Sequence, residues 1–415
     1  MSRSLTPKRE LWLLLTLAGI QFTHILDFMI MMPLGPQFTA LFGISDAQFG
    51  LLVSAYTLAA GASGLIASTY IDRFGRKRLL ITLYVLFGLA TLACGLAPGY
   101  ASLMVARICA GAFGGVLSAL CQTIVADSIP FERRGRAMGI VMTSFSVSTV
   151  AGVPLGLFLA AHLSWHAPFI GIALLCGVLV AFAAATLPTL DAHVHEGRSS
   201  SALGGIVQVL QDRNHLKAFG LSALLMSSSF TMIPYITIFM QANVGLTPAQ
   251  IPYMYLCGGL VTLLSARLFG RMTDRIGKVP TFRRVALIAL APMFALTLLG
   301  RVPLWAVLIG STCFFVFTSG RMIPGMAILT SAADPRLRGT FMTLNASVQS
   351  AAMGLAAFVG GLIISRDAQG FVQNYWMTAV VGAMATLAAV WLAGTLTLHG
   401  AGAPAAARPP STPEN

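Results

Sequence analysis

Asp72-Arg73-Phe74-Gly75-Arg76-Lys77 reappears as Asp274-Arg275-Ile276-Gly277-Lys278, 202 residues further along the chain. Each copy stands where a long apolar run ends in a cluster of cations. Two further landmarks keep nearly the same spacing: Arg134-Gly135 matches Arg338-Gly339, and Gly156 matches Gly360, both at an offset of 204. A spacing held across three landmarks indicates two copies of one module. Copies with the same topology in a membrane protein are related by an axis along the membrane normal.

Around these landmarks the chain is almost free of charge. Of its 415 residues, 56% are hydrophobic and 9% charged, with a mean hydropathy of +0.81. A soluble domain carries roughly 25% charged residues, so this chain cannot cover a water-facing surface and lipid must replace water over most of it. A membrane helix needs about 20 apolar residues, and twelve such runs can be counted. They cover 11–35, 47–70, 79–97, 101–126, 137–161 and 167–188, then 216–241, 249–272, 283–300, 304–330, 339–364 and 374–397. Pro154, Pro234 and Pro324 fall inside runs, where a proline bends a membrane helix without ending it. The first run follows Arg3, Lys8 and Arg9 and has no small-residue cleavage signal, so it reads as a retained helix. The predicted fold is all-α: twelve transmembrane helices in two pseudo-symmetric six-helix bundles. The expected division is 1–188 and 216–398 for the bundles, 189–215 for a cytoplasmic linker and 399–415 for a disordered cytoplasmic tail.

The net charge of +13 does not point to nucleic acid, because the cations lie in short clusters between apolar runs. They alternate instead. The N-terminus, the 2–3, 4–5, 8–9 and 10–11 connections and the linker hold nearly all of them, and only Arg301 and Arg366 fall in the other set of loops. By the positive-inside rule both termini are cytoplasmic, which requires an even number of spans. Cys94, Cys109, Cys121, Cys176, Cys257 and Cys313 all sit in apolar runs without metal-ligand spacing, so neither disulfides nor a metal site is expected. No phosphate-cradling G-x-x-x-x-G-K-[ST] sequence and no nucleophile triad is present, so no cofactor, direct ATP coupling or enzymatic activity is expected.

Asp27 alone among the 13 acidic residues falls well inside an apolar run. A charge at the bilayer centre costs at least about 2.5–3.5 kcal/mol on insertion scales, and such residues usually face the bundle interior and serve transport. His24 is three residues earlier, on the same helix face, so the pair is suited to taking and releasing a proton, with Asp27 as carrier and His24 tuning it. A structural hydrogen bond between helices is the alternative. Arg107 and Arg321 are the other deeply placed charges. Arg107 can pair with Asp27 or bind an anionic substrate; Arg321 has no acidic neighbour in sequence and reads as a substrate or backbone-carbonyl contact. Tyr56, Gln122, Phe230, Tyr235, Asn345 and Gln349 bring aromatic and amide groups to the second, fourth, seventh and eleventh runs as cavity-lining candidates.

The doubled motif resembles that of the major facilitator superfamily, whose loop signature is G-x-L-A-D-R-x-G-R-K. Here the first copy begins Ser68-Thr69-Tyr70-Ile71, departing from the family at Ser68 and Tyr70. Arg107-Ile108-Cys109-Ala110-Gly111 resembles the R-x-x-Q-G element of the twelve-helix drug:proton antiporter branch, with Ala110 in place of Gln. Gly152-Val153-Pro154-Leu155-Gly156 resembles that branch's G-P-x-x-G signature and its sugar-efflux members. The resemblance implies a monomeric secondary transporter of a bacterial inner membrane that exports a drug, sugar or related metabolite against a proton flux. It also implies a latch. Asp72 and Asp274 would face the N-termini of helices 11 and 5 of the opposite half, near Thr340 and Ala137, where a carboxylate is favoured. Arg73, Gly75, Arg76, Lys77, Arg275, Gly277, Lys278, Arg134 and Arg338 would complete it. Two other readings stay open: an importer or facilitator on the same fold, and a non-transporting membrane sensor or scaffold.

Overall fold

A computed structural model describes residues 7–70, 74–129, 131–187 and 202–399. Asp72, Arg73, most of the linker, the tail and the side chain of Arg134 lie outside the described residues. Twelve helices are long and apolar enough to span a membrane. In the first half these are α1 (Arg9–Ile30), α2 (Asp46–Ala67), α3 (Arg76–Gly95), α4 (Tyr100–Val125), α5 (Ala137–His162) and α6 (His166–Ala185). In the second they are α7 (Arg213–Val244), α8 (Ile251–Ile276), α9 (Lys278–Thr297), α10 (Leu304–Ala332), α11 (Arg338–Ile363) and α12 (Tyr375–Ala393).

Capping chemistry sets several boundaries. The sequence places the ninth span at 283–300, but Gly277 adopts φ 101° and lets α9 begin at Lys278, directly after α8. The seventh begins at Arg213 because Asp212 accepts a hydrogen bond from the Asn214 amide at 2.7 Å, satisfying an orphan donor of the first turn. The duplication reappears in local chemistry. At the entrance to α2 the Ser45 amide donates to Gln48 Oε1 at 2.9 Å; at the entrance to α8 the Thr247 amide donates to Gln250 Oε1 at 3.0 Å. The two turns are 202 residues apart.

Prolines break four spans at predictable points. A proline ring clashes with the carbonyl four residues earlier. Regular helix ends at Ile30 before Pro33, at Phe230 before Pro234 and at Gly320 before Pro324. Ahead of Pro154, residues Ser148–Gly152 widen into a π turn. The first helix of each half is thus interrupted at a corresponding point. α1 gives way to a turn and the short helix Gly35–Phe42, while α7 resumes through a 3-10 turn at Ile233–Tyr235.

The halves meet along α2 and α11, where small residues allow close approach. A Cβ on Gly61 would touch Ser347 and Ser350, and one on Gly354 would touch Thr57 and Leu58. Ser54 Oγ donates to the Gly354 carbonyl at 2.6 Å. At the end of the bundle away from the termini, an unexpected feature joins the halves. Between α11 and α12 the chain forms a two-strand ladder, β1 (Ser365–Arg366) against β2 (Val372–Gln373), with Arg366 opposite Val372. From β1, Arg366 makes a bidentate pair with Asp46 of α2, Nε to Oδ2 at 2.9 Å and Nη2 to Oδ1 at 2.7 Å. It also donates to Thr39 Oγ1 at 3.3 Å. The Asp46 carboxylate holds the Arg366 guanidinium above its ordinary pKa. A cavity of about 390 Å³ lies at this joint. Among the described residues, the hydrogen bonds and ion pairs between the halves are these and the Ser54–Gly354 bond.

Replacing Arg366 by Gln should loosen this closure. Arg366 is 38% exposed and Asp46 4%, so solvent screens the pair and its loss should cost about 1 kcal/mol, roughly a fivefold shift in population. A cysteine placed at Ile364, a buried cavity-lining position, should then be alkylated several-fold faster from that side.

Candidate functional site

Asp27 and Arg107 meet inside the first half. Both side chains are fully buried, with Arg107 Nη1 3.0 Å from Asp27 Oδ2 and 3.2 Å from the Asp27 carbonyl. Their spacing in sequence hides this: α1 and α4 run side by side, and Asp27 lies one turn before the α1 break. The guanidinium also sits 4.2 Å over the Tyr56 ring of α2, a cation–π arrangement that strengthens on desolvation. Two glycines of α4 make room. A Cβ on Gly111 would strike the Tyr56 backbone, and one on Gly114 would strike the His24 ring. On the other side, Gly152 and Gly156 of α5 rest on Leu26 and Ile30 of α1, and Ser148 Oγ donates to the Phe22 carbonyl at 3.0 Å. The antiporter-like Gly152-Pro154-Gly156 stretch therefore backs the segment of α1 that bears Asp27.

The site is incompletely bonded. Asp27 Oδ1, Arg107 Nε and Nη2, both His24 ring nitrogens and Gln21 Oε1 are buried without hydrogen-bond partners among the described residues. Such concentrations of buried unpaired groups are rare outside functional sites. Next to Asp27, Phe28 stacks on Tyr56 with centroids 5.4 Å apart and on Phe230 of α7 at 6.0 Å. That second stack crosses between the halves.

Arg321 is equally buried, at the α10 break, but pairs with no carboxylate among the described residues. Nη1 donates to Thr386 Oγ1 at 2.8 Å, and Nη2 to Ser228 and Ser229 Oγ at 2.9 and 2.8 Å. The sequence offered no sign of this hydroxyl nest, since Ser and Thr are ordinary inside apolar runs. Tyr235 is fully buried. Its hydroxyl donates to the Ala357 carbonyl and fills the space left by Gly50 and Gly361. Asn345 is buried with Oδ1 unpaired, Gln349 reaches Met326 Sδ at 3.7 Å, and Gln122 is exposed.

Two of the latch candidates bond within their own halves. Lys77 Nζ donates to the Ala184 and Leu187 carbonyls at 2.9 and 2.6 Å, closing the end of α6 as a cation does at a helix C-terminus. Lys278 donates to Ser331 of α10. Asp274, Arg275 and Arg338 are exposed, Gly75 and Gly277 are half-buried turn residues, and Arg76 is buried.

Two like-oriented six-helix bundles enclosing buried charge define a membrane transporter. The chain belongs to the Major Facilitator Superfamily, whose family model matches residues 17–215 and again 218–414. It is 26% identical over 394 residues to YceJ, an uncharacterised transporter of this superfamily from Bacillus subtilis, covering 94% of this chain and 95% of that one. It is 22% identical over 370 residues to Multidrug resistance protein 2 of the same organism, covering 88% and 91%. In fold it is similar to a bacterial homolog of the human lysosomal transporter Spinster in an inward-facing, occupied conformation. The TM-score is 0.75 at 15% identity, covering 94% and 97% of the chains. It is likewise similar to a D-xylose-proton symporter, with TM-score 0.73 at 18% identity, covering 92% and 96%.

Breaking the ion pair from one side should cost more than removing it whole. Arg107→Leu leaves a buried carboxylate unpaired and should destabilise by about 3–5 kcal/mol, whereas the Asp27→Asn/Arg107→Leu double variant should recover much of that. A double-mutant cycle on chemically unfolded, detergent-solubilised protein measures the difference.

Proposed function

We propose that this protein is a proton-coupled exporter of a small organic molecule, working by alternating access in a bacterial inner membrane with both termini in the cytoplasm. The observation that carries the reading is the fully buried Asp27–Arg107 pair, beside the one residue of α1 that stacks across the seam between the halves, Phe28. Protonation of Asp27 removes the charge that holds Arg107. The freed guanidinium must then find other partners in a low-dielectric site, which changes the packing of α1 against α4 and Tyr56. Phe28 adjoins Asp27, so that change bears on the Phe28–Phe230 contact and hence on the fit of the two halves.

Closure by Asp46 and Arg366 at the far end supports a state accessible from the termini end. The doubled cationic motif, whose Lys77 and Lys278 bond within their own halves in this state, would latch the termini end when the bundle tips the other way. The aromatic faces of Phe28, Tyr56 and Phe230 suit a drug-like or other planar organic substrate, in keeping with the similarity to a multidrug resistance protein. Gln122, Asn345, Gln349 and Arg321 supply polar groups that would set specificity.

Asp27→Asn should retain ligand binding, detected as thermal stabilisation by ligand, yet lose transport driven by a pH gradient in inverted vesicles. Normal gradient-driven uptake by that variant would exclude Asp27 from coupling. Counterflow in the same vesicles separates export from import.

A further inference from the structure

The unpaired polar atoms around Asp27 are not scattered. Gln21, His24 and Asp27 follow one another at three-residue steps, a single stripe along α1. α4 presents a matching stripe to it: Arg107, then Gly114, whose Cβ position is occupied by the His24 ring, then Ser118, whose hydroxyl accepts from Gln21 Nε2 at 3.3 Å, then Gln122. Exposure rises along this α4 stripe toward the end that carries the termini. Arg107 and Gly114 are buried, Ser118 half-buried and Gln122 exposed. Gln21 Oε1, both ring nitrogens of His24 and Asp27 Oδ1 are left without partners. Four unpaired polar atoms along one stripe, beside a glycine whose missing side chain makes room for the His24 ring, offer bonding groups to bound waters.

We infer that the α1–α4 cleft is a hydrated proton path opening at the termini end, and that His24 is its relay to Asp27. This rests on the proposed coupling role of Asp27. In the relay, a hydronium that has entered the file from the bulk gives its proton to one ring nitrogen, leaving water and forming the imidazolium. The other nitrogen then releases its proton through water to Asp27 Oδ1. The products are a neutral imidazole of the opposite tautomer and a neutral carboxylic acid, and exchange of tautomers with the bathing water resets the ring. The titratable groups facing the strip from the other helices are Tyr56 of α2, Cys94 of α3 and Cys176 of α6, and the charged neighbour is Arg107 of α4. Of these side chains and His24 itself, only the imidazole has two ring nitrogens, one able to take up a proton while the other releases one.

The test needs no substrate. The protein is reconstituted in liposomes and given a rapid pH drop on the side bearing the termini, while the carboxylic-acid carbonyl stretch that vanishes in Asp27→Asn is followed by infrared spectroscopy. His24→Gln should reach the same final amplitude at least about tenfold more slowly, as expected when a positioned proton-transfer group is lost, and free imidazole in the buffer should restore the rate. Gly114→Ala, which puts a methyl where the ring lies, should slow the signal as well. An unchanged rate in His24→Gln overturns the relay. So does slowing that imidazole does not restore while Gly114→Ala is unaffected, since that pattern marks a purely structural histidine. A faster response to a pH drop on the opposite side overturns the direction of access. Absence of any Asp27-dependent signal in the unaltered protein removes the coupling reading itself, a result distinct from a failed relay.

Discussion

One guanidinium and one carboxylate, 3.0 Å apart and shut away from both water and lipid, set the terms for the rest of the first half. Either charge alone would be strongly unfavourable there, and the two together persist only where neighbouring backbone holds them in register. The local architecture supplies that hold. Gly111 and Gly114 thin α4 so that Tyr56 can lie beneath the guanidinium and His24 can lie beside it, while Gly152 and Gly156 let α5 press on α1 to either side of Asp27. The π turn ahead of Pro154 curves α5 at that contact. A stretch of sequence that resembles an antiporter signature thus has a concrete mechanical part: it backs the helix that carries the acid.

The seam between the halves is built differently. It relies on small residues along α2 and α11, on the stack of Phe28 against Phe230, and on the bidentate Asp46–Arg366 pair at one end. Aromatic stacks and partly exposed ion pairs are each worth little individually, so neither bundle depends on that joint for its own fold. Interruptions in both first helices beside this seam, each placed by a proline, give α1 and α7 points at which to bend.

Much of this could be read in advance. The repeated cationic motif, the twelve apolar runs and the isolated acid in the first run follow from composition and spacing, because lipid imposes a length and a polarity on every crossing segment. That Arg107 and not some other group answers Asp27 was one of two open readings, since helix adjacency is not written in a single chain. Other features carried no comparable signal. Arg366 is, with Arg301, an exception to the charge asymmetry, and only the hairpin of β1 and β2, braced by Asn243 through Val372 at 2.8 and 2.9 Å, reveals why a cation stands there. Tyr235, an evident candidate for a cavity wall, instead fills the gap between glycines of both halves. The three hydroxyls around Arg321 were invisible because Ser and Thr in membrane helices commonly satisfy themselves on their own backbone, as Ser54 and Thr57 also do.

At the interval that relates the two cationic motifs, the counterpart of Asp27 is Ser229, and Ser229 is one of the groups that hold Arg321. Each half holds a buried arginine on its fourth helix, at points of the repeat that do not correspond, and among the described residues only the first is paired with an acid. With Asp27 ionised, the first bundle's core is electrically balanced and the second's carries an uncompensated positive charge. With Asp27 neutral, both cores are positive and repel one another through a medium that screens poorly. Under the coupling role proposed for Asp27, loading a single proton would turn two bundles that tolerate each other into two that push apart, and the asymmetry between the halves would act as a source of force across their shared boundary.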